Sequence, residues 1–520
     1  MKTVTTKQMS EIENNSEKLG VSKKILMQNA GIKLAGRITE ICRNKNPENT
    51  NITFLAGSGN NGGDCFAASN ILINKGYNVT VINLVRAPST ELAKECFSAL
   101  PDKVRIINGC ELNNNQKIIQ NAVISSDILV DGVFGTGFHG QLKKEIADIF
   151  SISTNAYRIA VDIPSGGDGS NGTISHGCFR ADETLCLGCL KFGMTQYPLK
   201  KMCGKITVAD IGLPHNAYDI IEGEHGYHII EPESLSGFPP VREPDSHKGT
   251  FGTVLIIAGS SSMRGAAVFA VLGALKSGAG LVKIASVEKC IDTVSVLAPE
   301  AVYLELESDE QGFMLLGNNR DSLIQAMNKA DSIVIGSGMG VTENTSKIIR
   351  FVLDNSDVPV IVDADGINCI AGDITILENH KSDVIITPHP GEMARLLGCS
   401  AKTVNENRIV SAEQYAEKYG ITVVLKGAGT VVADKFNTSA NHTGNAGMSR
   451  GGSGDILSGI IGSVVAQGFA PYDSACAGVY IHGLAGDKSA EKYGHESMLP
   501  RDVIDCLTDA FRILKNKQKK

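Results

Sequence analysis

The sequence predicts an α/β protein of two domains, each a mostly parallel sheet with helices on both faces. Three observations point there. Short apolar runs alternate with stretches of helical periodicity along the whole chain. Many of those runs end in glycine-rich turns. The alternation breaks once, near residues 232–250, in the Pro-, Ser- and Gly-rich stretch beginning "PESLSGFPPVREPDSHKG", and then restarts. A chain of 520 residues also exceeds what one ordinary core supports.

In order along the first half, a segment capped by Ser22 carries Leu26, Ala30, Leu34, Ile38 and Ile41 on one helical stripe. Strands are expected at "NITFLAG" (51–57) and "YNVTVINLV" (77–85), with a helix over 64–75 between them. Two more strands, in "SDILVDGVFGTG" (126–137) and "YRIAVDIPSGGDG" (157–169), run into Gly-rich turns. After the break, strands recur in "GTVLIIAGSSSMRGAA" (252–267), "DSIVIGSGMG" (331–340), "VPVIVDADGIN" (358–368), "SDVIITPHPGE" (382–392) and "ITVVLKGAGT" (421–430). Ligands of such sheets bind beyond the carboxyl ends of the strands, where these turns fall.

Composition narrows the function classes. With 42% hydrophobic and 20% charged residues and a net charge of −7, the chain has no basic footprint for nucleic acid. The short tail Lys515–Lys520 reads as a solvated terminus. No apolar run is long enough to span a bilayer and no signal-peptide pattern follows Met1, so a cytoplasmic protein without a membrane partner is expected. Thirteen scattered cysteines suit a reducing compartment. Cys186 and Cys189 lie in the apolar run "ETLCLGCLKFG", which reads as a buried strand rather than a zinc knuckle. Fifty-six glycines and no tryptophan imply many tight loops where backbone meets a ligand closely.

The first turn, "FLAGSGNNGGDCFAASN", contains Gly57-x-Gly59-x-x-Gly62, the spacing of a dinucleotide-binding turn. Its partner is missing: the next strand ends "NLVRA", with Arg86 where a ribose-binding acid belongs. Asn60, Asn61 and Asp64 instead crowd the turn with hydrogen-bonding groups. Asp131 and Asp162 end the next two strands, where they can hold a cation, move a proton or cap helices. Asn61, Asp131 and Ser165 offer only oxygen, which suits a hard cation. The segments "GSGNNGGD", "VFGTG" and "AVDIPSG" themselves hold no Lys, Cys or His, which argues against a covalent nucleophile.

In the second half, "NAGMSRGGSGDILSGIIGSVVAQG" (445–468) places Gly451, Gly452, Gly454 and Asp455 before an apolar helix. Free backbone N–H groups and the helix dipole there suit a phosphate, with Asp455 placed to take a hydroxyl proton. No Walker lysine follows. "LKGAGT" (425–430) is a second anion cradle, and "TPHPGE" fixes His389 between prolines, with Glu392 in reach of a magnesium ion. "DADG" (363–366) is either a turn or part of the site.

Together these motifs resemble the bifunctional NAD(P)H-hydrate repair enzymes, in which an epimerase is fused to a nucleotide-dependent dehydratase. "GSGNNGGD", "VFGTG" and "AVDIPSG" are similar to the epimerase, and "GTVLIIAGS", "GAGLV", "TPHPGE", "LKGAGT" and "NAGMSRGGSGDILSG" to the dehydratase. The resemblance implies a Rossmann-like three-layer epimerase domain over 1–225 and a ribokinase-like ADP-dependent dehydratase domain over 226–520. For the first domain it implies contacts to the hydrate from Asn60, Asn61, Gly62, Gly63 and Asp64 and from Gly135, Thr136, Gly137, Phe138, His139, Gly140 and Gln141. Asp162 would contact the hydrated ring and transfer the proton, and Asn61, Asp131 and Ser165 would hold potassium. For the second it implies Asp455 as base, Ala266, Gly338 and His389 as hydrate contacts, and Lys426, Gly427, Ala428, Gly429, Thr430 and Gly454 as contacts to ADP, which carries magnesium. The substrates would be hydrated NADH and NADPH, and the chain a homo-oligomer. Cys65 and Arg450 stand where the resembled motifs more often carry a glycine and a small or hydroxyl residue. The competing expectation is a small-molecule kinase whose first domain is a non-catalytic binding module.

Overall fold

The computed structural model describes residues 3–85, 87–108, 112–235 and 237–518, leaving out the side chains of 112–115 and 518. Arg86 and the terminal Lys519 and Lys520 lie outside the described residues. The chain divides into two compact units, Met1–His228 and Ile229–Lys520.

The first unit is built on a seven-stranded sheet. Its spatial order is Arg105–Asn108, Asn78–Asn83, Asn51–Ala56, Ile128–Gly132, Tyr157–Val161, Glu183–Leu187 and Lys205–Ala209. Every neighbouring pair is parallel. The chain enters at Asn51–Ala56, works outward to Arg105–Asn108, and reverses direction at Ile128–Gly132. That reversal opens a crevice between the carboxyl ends of the two central strands. The helix Lys23–Ile41 starts on the Ser22 cap and buries Leu26, Ala30, Leu34 and Ile38, the stripe expected of it. These side chains pack with Phe54, Phe66, Leu72 and Ile159 into one core.

The helix expected over 64–75 spans Asn60–Asn74 instead, capped by an extended Gly59. Two helix-weakening glycines sit in its first turn because tertiary contact outweighs propensity there. A Cβ on Gly62 would lie 2.1 Å from the Gly57 carbonyl, and one on Gly57 would lie 1.9 Å from the Val133 carbonyl. The glycine spacing is thus required by backbone packed on backbone, and Asn60–Asp64 form a helical turn rather than a loop.

The second unit is built on a ten-stranded sheet whose edge strand, Gly226–Ile229, contains the division between the units. Next to it come Asn437–Ala440, Val431–Ala433, Thr422–Leu425, Val384–Ile386, Val360–Val362, Ser332–Ile335, Thr253–Ile257, Leu281–Ser286 and Val302–Glu305. From Thr422–Leu425 to Val302–Glu305 all pairs are parallel; Val431–Ala433 and Asn437–Ala440 add an antiparallel hairpin. Here too the order reverses beside the first strand, between Thr253–Ile257 and Ser332–Ile335. The expected α/β class is therefore found in both units. The proline-rich stretch expected as a linker is packed at its start, where Leu235 and Phe238 are buried in this core and Phe238 meets the rings of Phe469 and Phe511, and exposed over 241–245 and 247–250.

Candidate functional site

Among the described residues only two other than glycine have positive φ, Asp162 at 67° and Ala364 at 50°. Such conformations cost of order 1–3 kcal/mol and collect at functional sites. Each stands at the carboxyl end of a central parallel strand, one per unit.

In the first unit a cavity of about 430 Å³ opens at the crevice. Of the expected substrate contacts, Asn60, Asn61, Asp64, Gly135, Thr136, Gly137, Phe138 and Asp162 line it. Gly62 and Gly63 stand one layer behind, against the Gly57 backbone and the Met27 side chain. His139 turns its Nδ1 to Asp168 Oδ2 at 2.9 Å, and Gln141 accepts from Ser175 Oγ at 3.1 Å across the left-handed Gly140. These three belong to the loop beside the cavity rather than to its lining.

The three expected cation ligands form one connected group. Ser165 donates from Oγ to Asp131 Oδ1 at 2.6 Å and from its backbone N to Oδ2 at 2.7 Å. Asn61 Nδ2 donates to the Phe134 carbonyl at 2.9 Å and the Val161 carbonyl at 3.2 Å, and the Phe134 N–H donates to Ser165 Oγ at 2.8 Å. Burial pushes Asp131 up to about 6 against the pull of the Ser165 and Val133 hydrogen bonds. One carboxylate among neutral oxygens suits a monovalent cation better than a divalent one. Among the described residues no cluster of three or more His, Cys, Asp or Glu could hold a metal.

Asp162 has a partner that the motifs did not contain. The fully buried Lys191 donates from Nζ to Asp162 Oδ1, and the Leu187 N–H donates to the same oxygen at 3.0 Å. Glu13 also lines the cavity, from the helix Thr6–Lys18. Burial, then the charges of Asp162 and Glu13, hold the Asp64 carboxyl well above its ordinary value. The signal for Lys191 was in the sequence: a single lysine inside an apolar run, "CLKFGM", has no other reason to be buried. Cys186 and Cys189 fall at and just after the strand Glu183–Leu187, which forms as expected. Cys65 does not crowd the turn, because its Sγ fills the space left by Gly132, 2.2 Å from where a Cβ there would lie.

In the second unit the strand ends bring together residues far apart in sequence. Asp363 is buried and accepts from Lys426 Nζ at 2.8 Å, Thr387 Oγ1 at 2.6 Å and Ser337 Oγ at 3.4 Å. "DADG" is therefore part of the site, with Ala364 strained beside Asp363. Asp455 stands in the first turn of the helix Ser453–Ala466, whose N-cap Gly452 has no side-chain cap. A Cβ on Gly454 would lie 3.1 Å from Lys426 Nζ, so the helix N-terminus and the ammonium face the same space. Burial, then the Asp363 carboxylate, push Asp455 up to about 6, opposed by a hydrogen bond from Ser337. Against the downward pull of burial, Asp363 and Glu392 hold Lys426 above its ordinary value.

Lys426 thus points into the acidic centre rather than outward with its loop. Gly427 and Gly429, both at positive φ, turn the chain over the buried Arg408, which donates from Nη2 to the Leu425 carbonyl at 2.9 Å and the Lys426 carbonyl at 3.3 Å. Ala428 lies in that turn, and Thr430 Oγ1 closes it onto the Gly427 carbonyl at 2.9 Å. Arg408 was missed because nothing local marks it; a helix-borne arginine reads as surface. Ala266 and Gly338 meet: a Cβ on Gly338, itself at φ 66°, would lie 2.8 Å from the Ala266 Cβ. His389 caps the helix Pro390–Leu397, its Nδ1 accepting from Gly391 N at 2.9 Å. Glu392 completes that cap, accepting from His389 N at 2.7 Å, and burial pushes it up to about 7. Arg450 donates to the Glu496 carbonyl at the surface.

The comparisons with known proteins match this arrangement. A family model described as NAD(P)H-hydrate dehydratase matches residues 254–509, and one described as YjeF-related protein N-terminus matches residues 23–193. The bifunctional NAD(P)H-hydrate repair enzyme of Moorella thermoacetica is 32% identical over 99% of this chain and 97% of its own. That of Escherichia coli is 33% identical over 90% of this chain and 86% of its own. Among solved structures, the ADP/ATP-dependent NAD(P)H-hydrate dehydratase of Bacillus subtilis, co-crystallized with ATP and Mg2+, is 29% identical, covering 55% of this chain and 98% of its own at a TM-score of 0.48. With relatives of this identity along nearly its whole length, the chain belongs to the family of bifunctional NAD(P)H-hydrate repair enzymes.

Proposed function

We propose that the chain returns hydrated NADH and NADPH to use in two steps, one per unit: epimerisation in residues 1–225 and ADP-dependent dehydration in residues 226–520. The observation that carries the reading is in the second unit. Asp455, a base, and Lys426 with the helix N-terminus, an anion cradle, face one space. A hydroxyl there loses its proton to Asp455 as its oxygen bonds the terminal phosphorus of ADP and the bond to AMP breaks. The phosphate then leaves with the C–O electron pair, the neighbouring carbon gives up a proton, and the ring double bond is restored. Gly454 and Lys426 face the transferred phosphoryl group, and the turn Gly427–Thr430 the rest of the nucleotide. Ala266, Gly338 and His389 line the hydrate's approach. Magnesium, when bound with ADP, neutralises phosphate charge and is held chiefly by the nucleotide and water.

In the first unit the hydroxyl sits on a carbon bonded to the ring nitrogen. Its departure as water leaves a nitrogen-stabilised cation, and readdition of water from the opposite face inverts the centre. Asp162 takes the incoming water's proton, and Asp64, whose carboxyl burial holds well above its ordinary value, gives one to the leaving hydroxyl. Potassium on Asn61, Asp131 and Ser165 supplies positive charge beside the dinucleotide when bound. The same reading carries the homo-oligomer and the cytoplasmic location. No helix among the described residues is long and apolar enough to cross a membrane.

The experiment follows the reduced-nicotinamide absorbance band with the S hydrate and ADP or ATP. Recovery with release of AMP and phosphate supports the reading; a phosphorylated product that accumulates without elimination favours a kinase. Because Asp455 must be ionised to accept the proton and its carboxyl sits at about 6, kcat/KM for dehydration is expected to fall tenfold per pH unit below that value. Above it the rate levels off. Arg408→Ala removes the group beneath the Gly427 turn together with its hydrogen bonds to the Leu425 and Lys426 carbonyls. It is expected to raise KM for ADP about tenfold, the equivalent of roughly 1.4 kcal/mol, with a smaller change in kcat.

A further inference from the structure

We infer that Lys191 is a positioning residue for the chemistry at Asp162, tying down Oδ1 so that Oδ2 is the carboxylate oxygen presented to the cavity. The inference rests on the epimerase reading of the first unit.

Lys191 lies in the short strand Leu190–Lys191 with 1% of its surface exposed. Its ammonium donates to Asp162 Oδ1 and, at 2.9 Å, to the Leu187 carbonyl. Cys186 Sγ is 3.9 Å from it. The Leu187 N–H adds a second hydrogen bond to Oδ1, while among the described residues Oδ2 has none. Asp162 lines the cavity, so the unbonded oxygen is the one available to a ligand. The Lys191 and Leu187 donors fix Oδ1 beside the left-handed backbone of Asp162, φ 67°.

A buried lysine–carboxylate pair costs desolvation on both sides, and apolar residues of the same volume often serve stability equally well. Its retention beside a reacting carboxylate needs another reason, and charge provides it. The other ionisable groups facing Asp162 are Glu13 from the N-terminal helix, Asp64 from the helix Asn60–Asn74 and Cys186 from the neighbouring strand; Lys23 stands at the cavity wall. Lys191 is the buried cation set against Asp162 among them, and its charge holds Oδ1 in place.

The test measures interconversion of separated R and S hydrates by the full chain, without ADP, as a function of pH. Lys191→Met, neutral and of similar length, is expected to lower kcat about a hundredfold with KM changed far less. A merely structural lysine would lower the amount of folded enzyme and leave kcat per folded enzyme in place. Should Lys191→Met fold poorly, Asp162→Asn/Lys191→Met removes the stranded charge, and it is expected to melt above Lys191→Met while remaining as inactive as Asp162→Asn. A Lys191→Met enzyme with the wild-type kcat overturns the inference alone. A wild-type chain that leaves both epimers unchanged overturns the epimerase reading and the inference with it.

Discussion

Asp455→Ala is expected to abolish recovery of reduced dinucleotide from the S hydrate, lowering kcat by about 10² to 10⁴-fold, the range supplied by a positioned base. The substitution removes the proton acceptor and leaves the cradle. Gly454 still packs 3.1 Å, at the Cβ position, from Lys426 Nζ, and Lys426 still pairs with Asp363 at 2.8 Å. ADP affinity should therefore change little or rise, since a negative charge near its phosphates has gone. Titration calorimetry with ADP checks that half, and the absorbance assay the other. Loss of ADP binding together with activity would mean that Asp455 serves binding and that the base lies elsewhere. Epimerisation, carried by the other unit, should be untouched.

The second large effect is on stability. Gly57→Ala puts a Cβ 1.9 Å from the Val133 carbonyl, backbone that cannot yield as a flexible side chain would. About 3 kcal/mol or more is expected from the forced separation of two central strands. In a unit of this size that corresponds to a melting midpoint about 6–12 °C lower. Gly59→Ala, two residues on, meets nothing within 4 Å and should cost about 1 kcal/mol or less. Calorimetric melting of the two variants separates a packing requirement from a ligand requirement. If the glycines existed to admit a pyrophosphate, Gly59→Ala would damage hydrate binding as severely as Gly57→Ala damages folding.

That contrast shows how far the sequence could be read. Gly57-x-Gly59-x-x-Gly62 located the turn and its place after the first strand correctly, but spacing alone could not say what each glycine touches. Gly57 meets Val133, more than seventy residues away, and Gly62 meets Gly57. Strand positions were legible because a buried parallel strand is a continuous apolar run. Asp131, Asp162 and Asp455 were legible because each ends such a run or begins a helix. Lys191, Glu13, Asp363 and Arg408 were harder. Their importance comes from partners on other strands: Lys191 is 29 residues from Asp162, and Asp363 is 63 from Lys426. Local pattern carries no record of such pairs. His389 also caps a helix through its Nδ1, a role that its placement between prolines did not announce.

The two units also share a device that no motif announced. Each candidate site sets a lysine ammonium against the acid at a strained strand end: Lys191 on Asp162, and Lys426 on Asp363 beside Ala364. In the first unit the paired acid is the one proposed to react. In the second, the lysine bridges to the neighbouring Glu392 at 4.0 Å, and Asp455 is left to accept the proton.

The central claim is that one chain performs both steps, and a mixture of R and S NADH hydrates tests it most directly. With excess ADP, magnesium and potassium, the wild-type chain is expected to restore the whole of the absorbance at the reduced-nicotinamide band. Asp162→Asn should stop once the S portion is consumed, and adding Asp455→Ala, which alone restores nothing, should carry the reaction to completion. Full recovery by Asp162→Asn on its own, on the wild-type timescale, would contradict the account.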